Sequence, residues 1–312
     1  MKKLLVTGYS GFVGKHLLSR YKTLGNINLL GRGKFPKAND CLFADIDSTS
    51  NYSSILEGVD VVIHIAAITN VMDNSLDDSL SIYREVNTAG TINLAKQAAE
   101  AGSKRFIFIS SIKVNGESTQ TGVPFRSTDK RQPKDFYGQS KSEAEELLMK
   151  LARETSLEVV IIRPPLIYGA DVKANFASLF NLVSKKIFLP FGSINNNRRS
   201  LVSVYNLVDL IHNCIDHPKA GNQIFLVSDD QDLSTTDMVK LMAKVQGNKP
   251  RLLPVPVWIL KLLGKLIGKP DMISRLTESL QVDITHTKEV MDWKPPHSVE
   301  QGFTKCVQNK NN

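Results

Sequence analysis

A doubly wound α/β fold is what this sequence predicts: a parallel sheet covered by helices on both faces, with a smaller C-terminal α/β lobe. Three observations carry the prediction. Short β-branched, apolar runs recur at Lys3–Val6, Ile27–Leu30, Val59–Ile65, Arg105–Ile109 and Glu158–Ile162. Helix-like segments separate them near Gly11–Leu24, Tyr52–Leu56, Leu80–Ala101 and Gly138–Thr155. Glycines at positions 8, 11 and 14 stand where the first strand gives way to the first helix. Continuously apolar strands that alternate with helices belong in a parallel sheet buried on both sides.

Size and composition fit. With 312 residues, 42% apolar and 22% charged, the chain can bury one large core with a smaller lobe beside it. Cys41, Cys214 and Cys306 lie far apart without CxxC or Cys/His spacing, so neither a metal site nor a disulfide framework is expected. No apolar run approaches the ~20 residues of a membrane span. The opening Met1–Val6 run stops at Thr7-Gly8, too short for a signal sequence, and the expected location is the cytoplasm. Net charge is +8, but the 39 Lys and Arg are spread out, so small anionic ligands are expected rather than nucleic acid.

Strand Lys3–Val6 runs into Thr7–Gly14 (TGYSGFVG) and then a helix. Gly8 permits a tight turn, Gly11 lets backbone approach a pyrophosphate, and Gly14 lets helix and strand pack closely. Ser10, Phe12 and Val13 complete the loop, and the helix N-terminus offers free N–H groups to phosphates. A Rossmann-type NAD(P) site is therefore expected in residues 1–170. The helix should present Val13, Leu17, Tyr21 and Leu24 on one face. The second strand ends Gly31-Arg32-Gly33-Lys34, without the acidic residue that usually holds a ribose 2′-hydroxyl. Arg32, helped by Lys34, suits a 2′-phosphate, so NADP(H) is preferred, with NAD(H) as the alternative. Asp45 and Ile46 are expected at the adenine. Ala66 and Ala67 are small residues where backbone passes close to the cofactor.

Tyr137 and Lys141 form a YxxxK pair on one helical face. A free tyrosine has a pKa near ~10, and a neighbouring ammonium is expected to lower it. Strand Arg105–Ile109 ends in Ser110-Ser111, where a hydroxyl faces the ligand crevice.

The motifs TGYSGFVG, HIAA (64–67), SSIKVNG (110–116), YGQSK (137–141) and RPPLIYG (163–169) resemble the extended short-chain dehydrogenase/reductases. The closest likeness is to the UDP-glucose 4-epimerase-like nucleotide-sugar enzymes, over essentially the whole chain. The resemblance implies a catalytic set of Ser111, Tyr137 and Lys141, choosing Ser111 over Ser110, and puts Pro164 near the nicotinamide. It implies nucleotide-sugar ligands at Asn175, Arg199 and, more loosely, Arg275, within a substrate lobe over 171–312. It also implies a homodimer. Leu201–Ile211 is apolar again and is expected to return to the main sheet, with 199–215 rejoining the Rossmann domain. The amphipathic stretch Trp258–Lys269 is expected to pack on the lobe core, with a membrane-surface helix as the alternative.

This chain has Asn115-Gly116 where epimerases usually carry Tyr-Gly, and Arg32 near the usual acid. SSIKVNGE resembles reductases of surface-polysaccharide synthesis. The expected activity is NADPH-dependent reduction of the 4-keto group of a UDP-4-keto-6-deoxy-N-acetylhexosamine. The alternative is a UDP-hexose 4-epimerase that retains NAD. A catalytically idle NADP-binding sensor ranks third, because the full Ser/Tyr/Lys set is present.

Overall fold

The computed structural model describes residues 2–21, 26–32, 40–69, 76–172 and 174–308. Its main sheet has seven strands: β1 (Leu4–Thr7), β2 (Ile27–Leu30), β3 (Asp40–Leu42), β4 (Val61–His64), β5 (Arg105–Ile109), β6 (Glu158–Arg163) and β9 (Gln223–Leu226). The order is β3-β2-β1-β4-β5-β6-β9, and every pairing is parallel. The chain builds outward from β1 through β2 and β3, then crosses to β4 on the other side of β1. That reversal opens a crevice at the C-terminal ends of β1 and β4, where doubly wound sheets hold their ligands.

Residues alternate between two buried faces. Leu4, Val6, Val61, Ile63, Ile107 and Val160 pack against α1 (Phe12–Ser19) and α7 (Val204–Asp216). Leu5, Val62, Phe106, Phe108, Val159 and Ile161 pack against α2 (Ser53–Leu56), α4 (Thr91–Glu100) and α5 (Phe136–Glu154). Both faces are apolar, which is why the strands read as unbroken apolar runs. The helix expected over Leu80–Ala101 forms with an interruption. Between α3 (Leu76–Tyr83) and α4 the segment Arg84–Gly90 is a π-helix. The expected α1 ends at Ser19. Val13 and Leu17 are buried, Tyr21 packs at the edge of the same core, and Leu24 lies outside the described residues.

The second half needs one correction. Leu201–Ser203 (β8) does not enter the main sheet. It pairs in parallel with β7 (Leu166–Tyr168) in a separate two-stranded sheet. The rest of the expected return is α7, whose Leu207, Leu210 and Ile211 lie on the main core. Ser203 caps α7, its hydroxyl accepting from Asn206 N, so three residues of strand switch directly to helix. β9 fills the seventh place in the sheet instead. The lobe has its own core, with Tyr168, Phe176, Phe180, Met242 and Phe303 among its buried members. It draws on α6 (Ala174–Ser184), α8 (Thr235–Val245), α9 (Val257–Leu266), α10 (Pro270–Thr277) and α12 (Val299–Gln308). Between these last two runs α11 (Thr285–Met291), which packs on β9.

Candidate functional site

The loop after β1 is held by steric limits that only glycine meets. Gly8 has φ +66°, and a Cβ there would lie 2.6 Å from Ala66 N. A Cβ on Gly14 would lie 2.3 Å from Gly8 O, so α1 rests directly on the turn. Gly11 is the N-cap of α1 and supplies no side-chain cap. The first-turn N–H groups are left without a side-chain partner, as an anion site requires.

A buried relay below this loop was not foreseen. Thr7 Oγ1 accepts from Ile65 N (3.2 Å) and Ala66 N (3.1 Å), so its proton goes to His64 Nδ1 at 2.7 Å. Thr91 Oγ1 donates to Asn87 O at 2.8 Å and therefore accepts from His64 Nε2–H at 2.9 Å. His64 is thus held as the neutral Nε2–H tautomer. Burial, with the charge of Lys141 adding to it, drives its pKa down to about 3. Asn87, in the π-helix, grips the next stretch of the same wall. It accepts from Ile68 N at 2.9 Å, donates to Ile68 O at 3.0 Å, and donates to Ser140 Oγ at 3.1 Å. The irregular helix thereby ties the cleft wall to α5. No sequence pattern pointed to it, because the partners are 19 and 53 residues apart.

One cleft of about 710 Å³ runs along the C-terminal ends of β1 to β6. Gly8, Ser10, Gly11, Phe12 and Val13 line it, with Arg32, Asp45, Ile46, Ala66, Ala67 and Pro164. Gly14 lies behind the loop. Tyr9, Gly31, Asp47, Thr69, Val86 and Ile167 also line the cleft. Tyr9, Gly31 and Ile167 fall inside the motifs without a role assigned from sequence, and Asp47, Thr69 and Val86 arrive by adjacency to other elements. Arg32 Nε lies 3.6 Å from Asp45 Oδ1, with the two side chains 82% and 66% exposed. Such a pair is weakly held. Lys34 lies outside the described residues.

Ser111, Tyr137 and Lys141 line the same cleft. Asp135 caps α5, its Oδ1 accepting from Gly138 N at 2.7 Å, while Lys113 pairs with its other oxygen. A Cβ on Gly138 would meet Lys113 O at 2.9 Å, so the helix start is clamped to the segment following Ser111. Ser111 is half-buried, and its hydroxyl accepts from Lys113 N at 3.2 Å. Ser110 also lines the cleft, but it is 2% exposed and its hydroxyl donates to Glu145 at 2.5 Å.

Lys141 is 1% exposed. Its Nζ donates to Ile109 O at 2.9 Å and sits 4.3 Å from the centre of the Phe108 ring. Burial pushes its pKa down to about 7, with Glu145 opposing. Tyr137 departs from expectation. Burial raises its pKa, and Asp135 and Tyr83 raise it further. Desolvation outweighs the expected help from Lys141, whose ammonium is anchored on Ile109 O.

Behind the set, Arg163 and Glu145 form an ion pair whose side chains are 2% and 0% exposed, closest at 2.5 Å. Arg163 also donates to Asn115 Oδ1 at 2.9 Å. Asn115 is therefore a buried support for Arg163, which accounts for an asparagine at that position.

The lobe residues stand apart from the cleft lining. Arg199 Nη1 donates to Glu278 O at 3.0 Å. Burial lowers its pKa, Glu278 opposes this, and the positive charge of Arg275 adds to the lowering. Arg275 is exposed on α10. The side chain of Asn175 lies outside the described residues.

Residues 4–228 match the family described as NAD dependent epimerase/dehydratase. The chain is 53% identical to UDP-glucose 4-epimerase of Vibrio cholerae, over 98% of this chain and 95% of that protein. It is 27% identical to N-acetyl-alpha-D-glucosaminyl-diphospho-ditrans,octacis-undecaprenol 4-epimerase of Escherichia coli O157:H7, over 98% and 94%. Among solved structures, MoeE5 in complex with UDP-glucose and NAD shares the fold with a TM-score of 0.78. That match covers 99% of this chain and 98% of MoeE5 at 19% identity.

Proposed function

The chain belongs to the NAD dependent epimerase/dehydratase family, and from that premise we propose that it inverts C4 of a UDP-hexose while retaining its nicotinamide cofactor. One observation carries the reading: Ser111, Tyr137 and Lys141 share a cleft with a glycine loop built for a pyrophosphate. The Vibrio cholerae relative supports inversion over net reduction.

When bound, the nicotinamide supplies a reversible acceptor for hydride. Gly8, Ser10, Gly11 and the first turn of α1 would hold its pyrophosphate. Asp45 and Ile46 would flank the adenine, and Ala66, Ala67 and Pro164 leave room for the ring system. As its phenolate, Tyr137 takes the proton of the 4-hydroxyl as C4 gives up hydride. Ser111 donates a hydrogen bond to the forming carbonyl oxygen. Tyr137 then returns the proton after hydride reaches the opposite face of C4. Lys141 would hold the ribose, and its protonated form would stabilise the Tyr137 phenolate that accepts this proton, against the burial that raises the phenol's pKa. In the lobe, Arg199 and Arg275 supply two neighbouring cations for the UDP diphosphate, and Asn175 is kept as a further candidate ligand from the family resemblance.

A second reading rests on Arg32. It ends β2 without an acidic neighbour there, and its exposed pairing with Asp45 is weak enough for a 2′-phosphate to displace. On that reading the same residues perform NADPH-dependent reduction of a UDP-4-keto-6-deoxy-N-acetylhexosamine. Release and identification of bound nucleotide, followed by turnover assays, separates the two. Retained NAD with UDP-glucose/UDP-galactose interconversion supports the epimerase. Stoichiometric NADPH loss with the 4-keto sugar, and no interconversion, would replace it with the reductase. A homodimer is expected in solution, which light scattering tests.

A further inference from the structure

The sequence places Trp258–Lys269 against the lobe core, but the structure seats only a narrow stripe of it. In α9 the buried positions are Leu260 and Gly264. A Cβ on Gly264 would lie 2.5 Å from Ile273 Cγ1, so α9 rests on α10 along that stripe, while Leu260 and Val257 join the lobe core. The opposite face carries Trp258, Leu262 and Leu266, spaced i, i+4 and i+8. They are 67%, 51% and 73% exposed, and Ile267 at the helix end is 60% exposed. An apolar helix face of this kind, directed at water, marks an interaction site.

The surrounding charge indicates what covers it. From residue 249 to 270 the chain carries Lys249, Arg251, Lys261, Lys265 and Lys269, with no Asp or Glu. All five are exposed, and Lys261 and Lys265 flank the apolar row of α9. The segment that pairs with Arg251–Leu253 adds Lys185, Lys186 and the exposed Ile187 and Phe188. A second copy of this chain meeting face to face would set these cations against their own equivalents. Anionic lipid headgroups complement them instead. Leu and Trp side chains enter the boundary of the hydrocarbon, and lysine stems reach back to the phosphates. At 10 residues α9 is too short to cross a bilayer, and no described helix is long and apolar enough to do so.

We infer that the outward face of α9, with the Ile187–Phe188 segment beside its approach, docks this protein on an anionic membrane surface. α10, which carries Arg275, packs against α9, so docking brings the lobe end of the site toward the lipid headgroups.

The test is flotation of the full chain with vesicles of phosphatidylcholine alone or mixed with phosphatidylglycerol, at low and high salt. The expected result is binding to the phosphatidylglycerol vesicles at low salt and release at high salt. Binding should fall by about tenfold or more in Leu262→Ser/Leu266→Ser and in Lys261→Glu/Lys265→Glu. These side chains are exposed, so melting temperature should be unchanged. The emission of Trp258 in the unaltered chain should shift to the blue on vesicle addition, and Trp258→Phe should abolish the shift, because Trp293 is already buried. Failure to bind either vesicle overturns the inference, as does undiminished binding by both double variants. So does light scattering in which Leu262→Ser/Leu266→Ser breaks a wild-type oligomer, which would make this face a contact between copies.

Discussion

Lys141 Nζ donates to the carbonyl oxygen of Ile109 at 2.9 Å, so the lysine of the helix is tied to the end of the strand that leads into Ser111. The bond fixes where the ammonium sits relative to the cleft. It also buries a cation whose pKa falls to about 7. Replacing Lys141 should therefore change both chemistry and the pH dependence of folding.

For stability the sign follows from linkage. A lysine whose folded pKa lies below its ordinary value of 10.5 binds fewer protons folded than unfolded between about 7 and 10.5. Stability should rise with pH across that window, and the penalty is fully present below it. Relative to Lys141→Met, the wild-type protein should gain unfolding free energy between about pH 7 and pH 10. Denaturant titrations at several pH values measure this, and parallel curves would exclude the burial effect.

Tyr137→Phe removes only a hydroxyl at a half-buried position. Cofactor retention and melting temperature should be nearly unchanged, while kcat falls about 10²–10⁴-fold, the range of general acid–base loss. A variant with near wild-type kcat would remove Tyr137 from its proposed role.

Thr7→Val strips three partners at once: His64 Nδ1, Ile65 N and Ala66 N. Buried polar groups left unpaired cost about 1–3 kcal/mol each, so a loss of about 2 kcal/mol or more is expected in urea unfolding. Cofactor affinity should fall with it, because Ala66 abuts Gly8. In acid, His64 is neutral when folded and charged when unfolded, so its contribution is lost progressively from about pH 6.5 toward about pH 3.

Gly14→Ala would place a methyl 2.3 Å from Gly8 O and 2.5 Å from Tyr9 Cα. Backbone cannot yield as a side-chain tip can, so the loop must move, with a cost of about 1–3 kcal/mol. Nucleotide binding, measured by calorimetry, should weaken more than the fold does.

Arg163→Leu leaves Glu145 charged and fully buried. Breaking such a pair costs about 3–5 kcal/mol, whereas a joint apolar replacement of Arg163 and Glu145 should recover much of it. Thermal unfolding of the single and double variants tests the difference.

Local patterns made the sheet and its glycine loop legible, because both faces of the strands are apolar and the loop residues are contiguous. The YxxxK spacing and the serine at the end of β5 were legible for the same reason: helical periodicity and strand ends are local. By itself the sequence determined the parallel sheet, the glycine loop, the Tyr137/Lys141 pair and the Ser110-Ser111 strand end, while the family resemblance chose Ser111. It could not show that Asn87 of a π-helix grips Ile68, that Thr7 and Thr91 hold His64 neutral, or that Asn115 supports Arg163. Those pairings join residues far apart in the chain, and no periodicity records them. Nor could it separate Leu201–Ser203, which pairs with β7, from Gln223–Leu226, which completes the main sheet. Only tertiary packing decides which apolar strand finds the free edge, and which face of α9 is left to water, because an apolar residue has the same local signature whether its partner is the core or lies outside the chain.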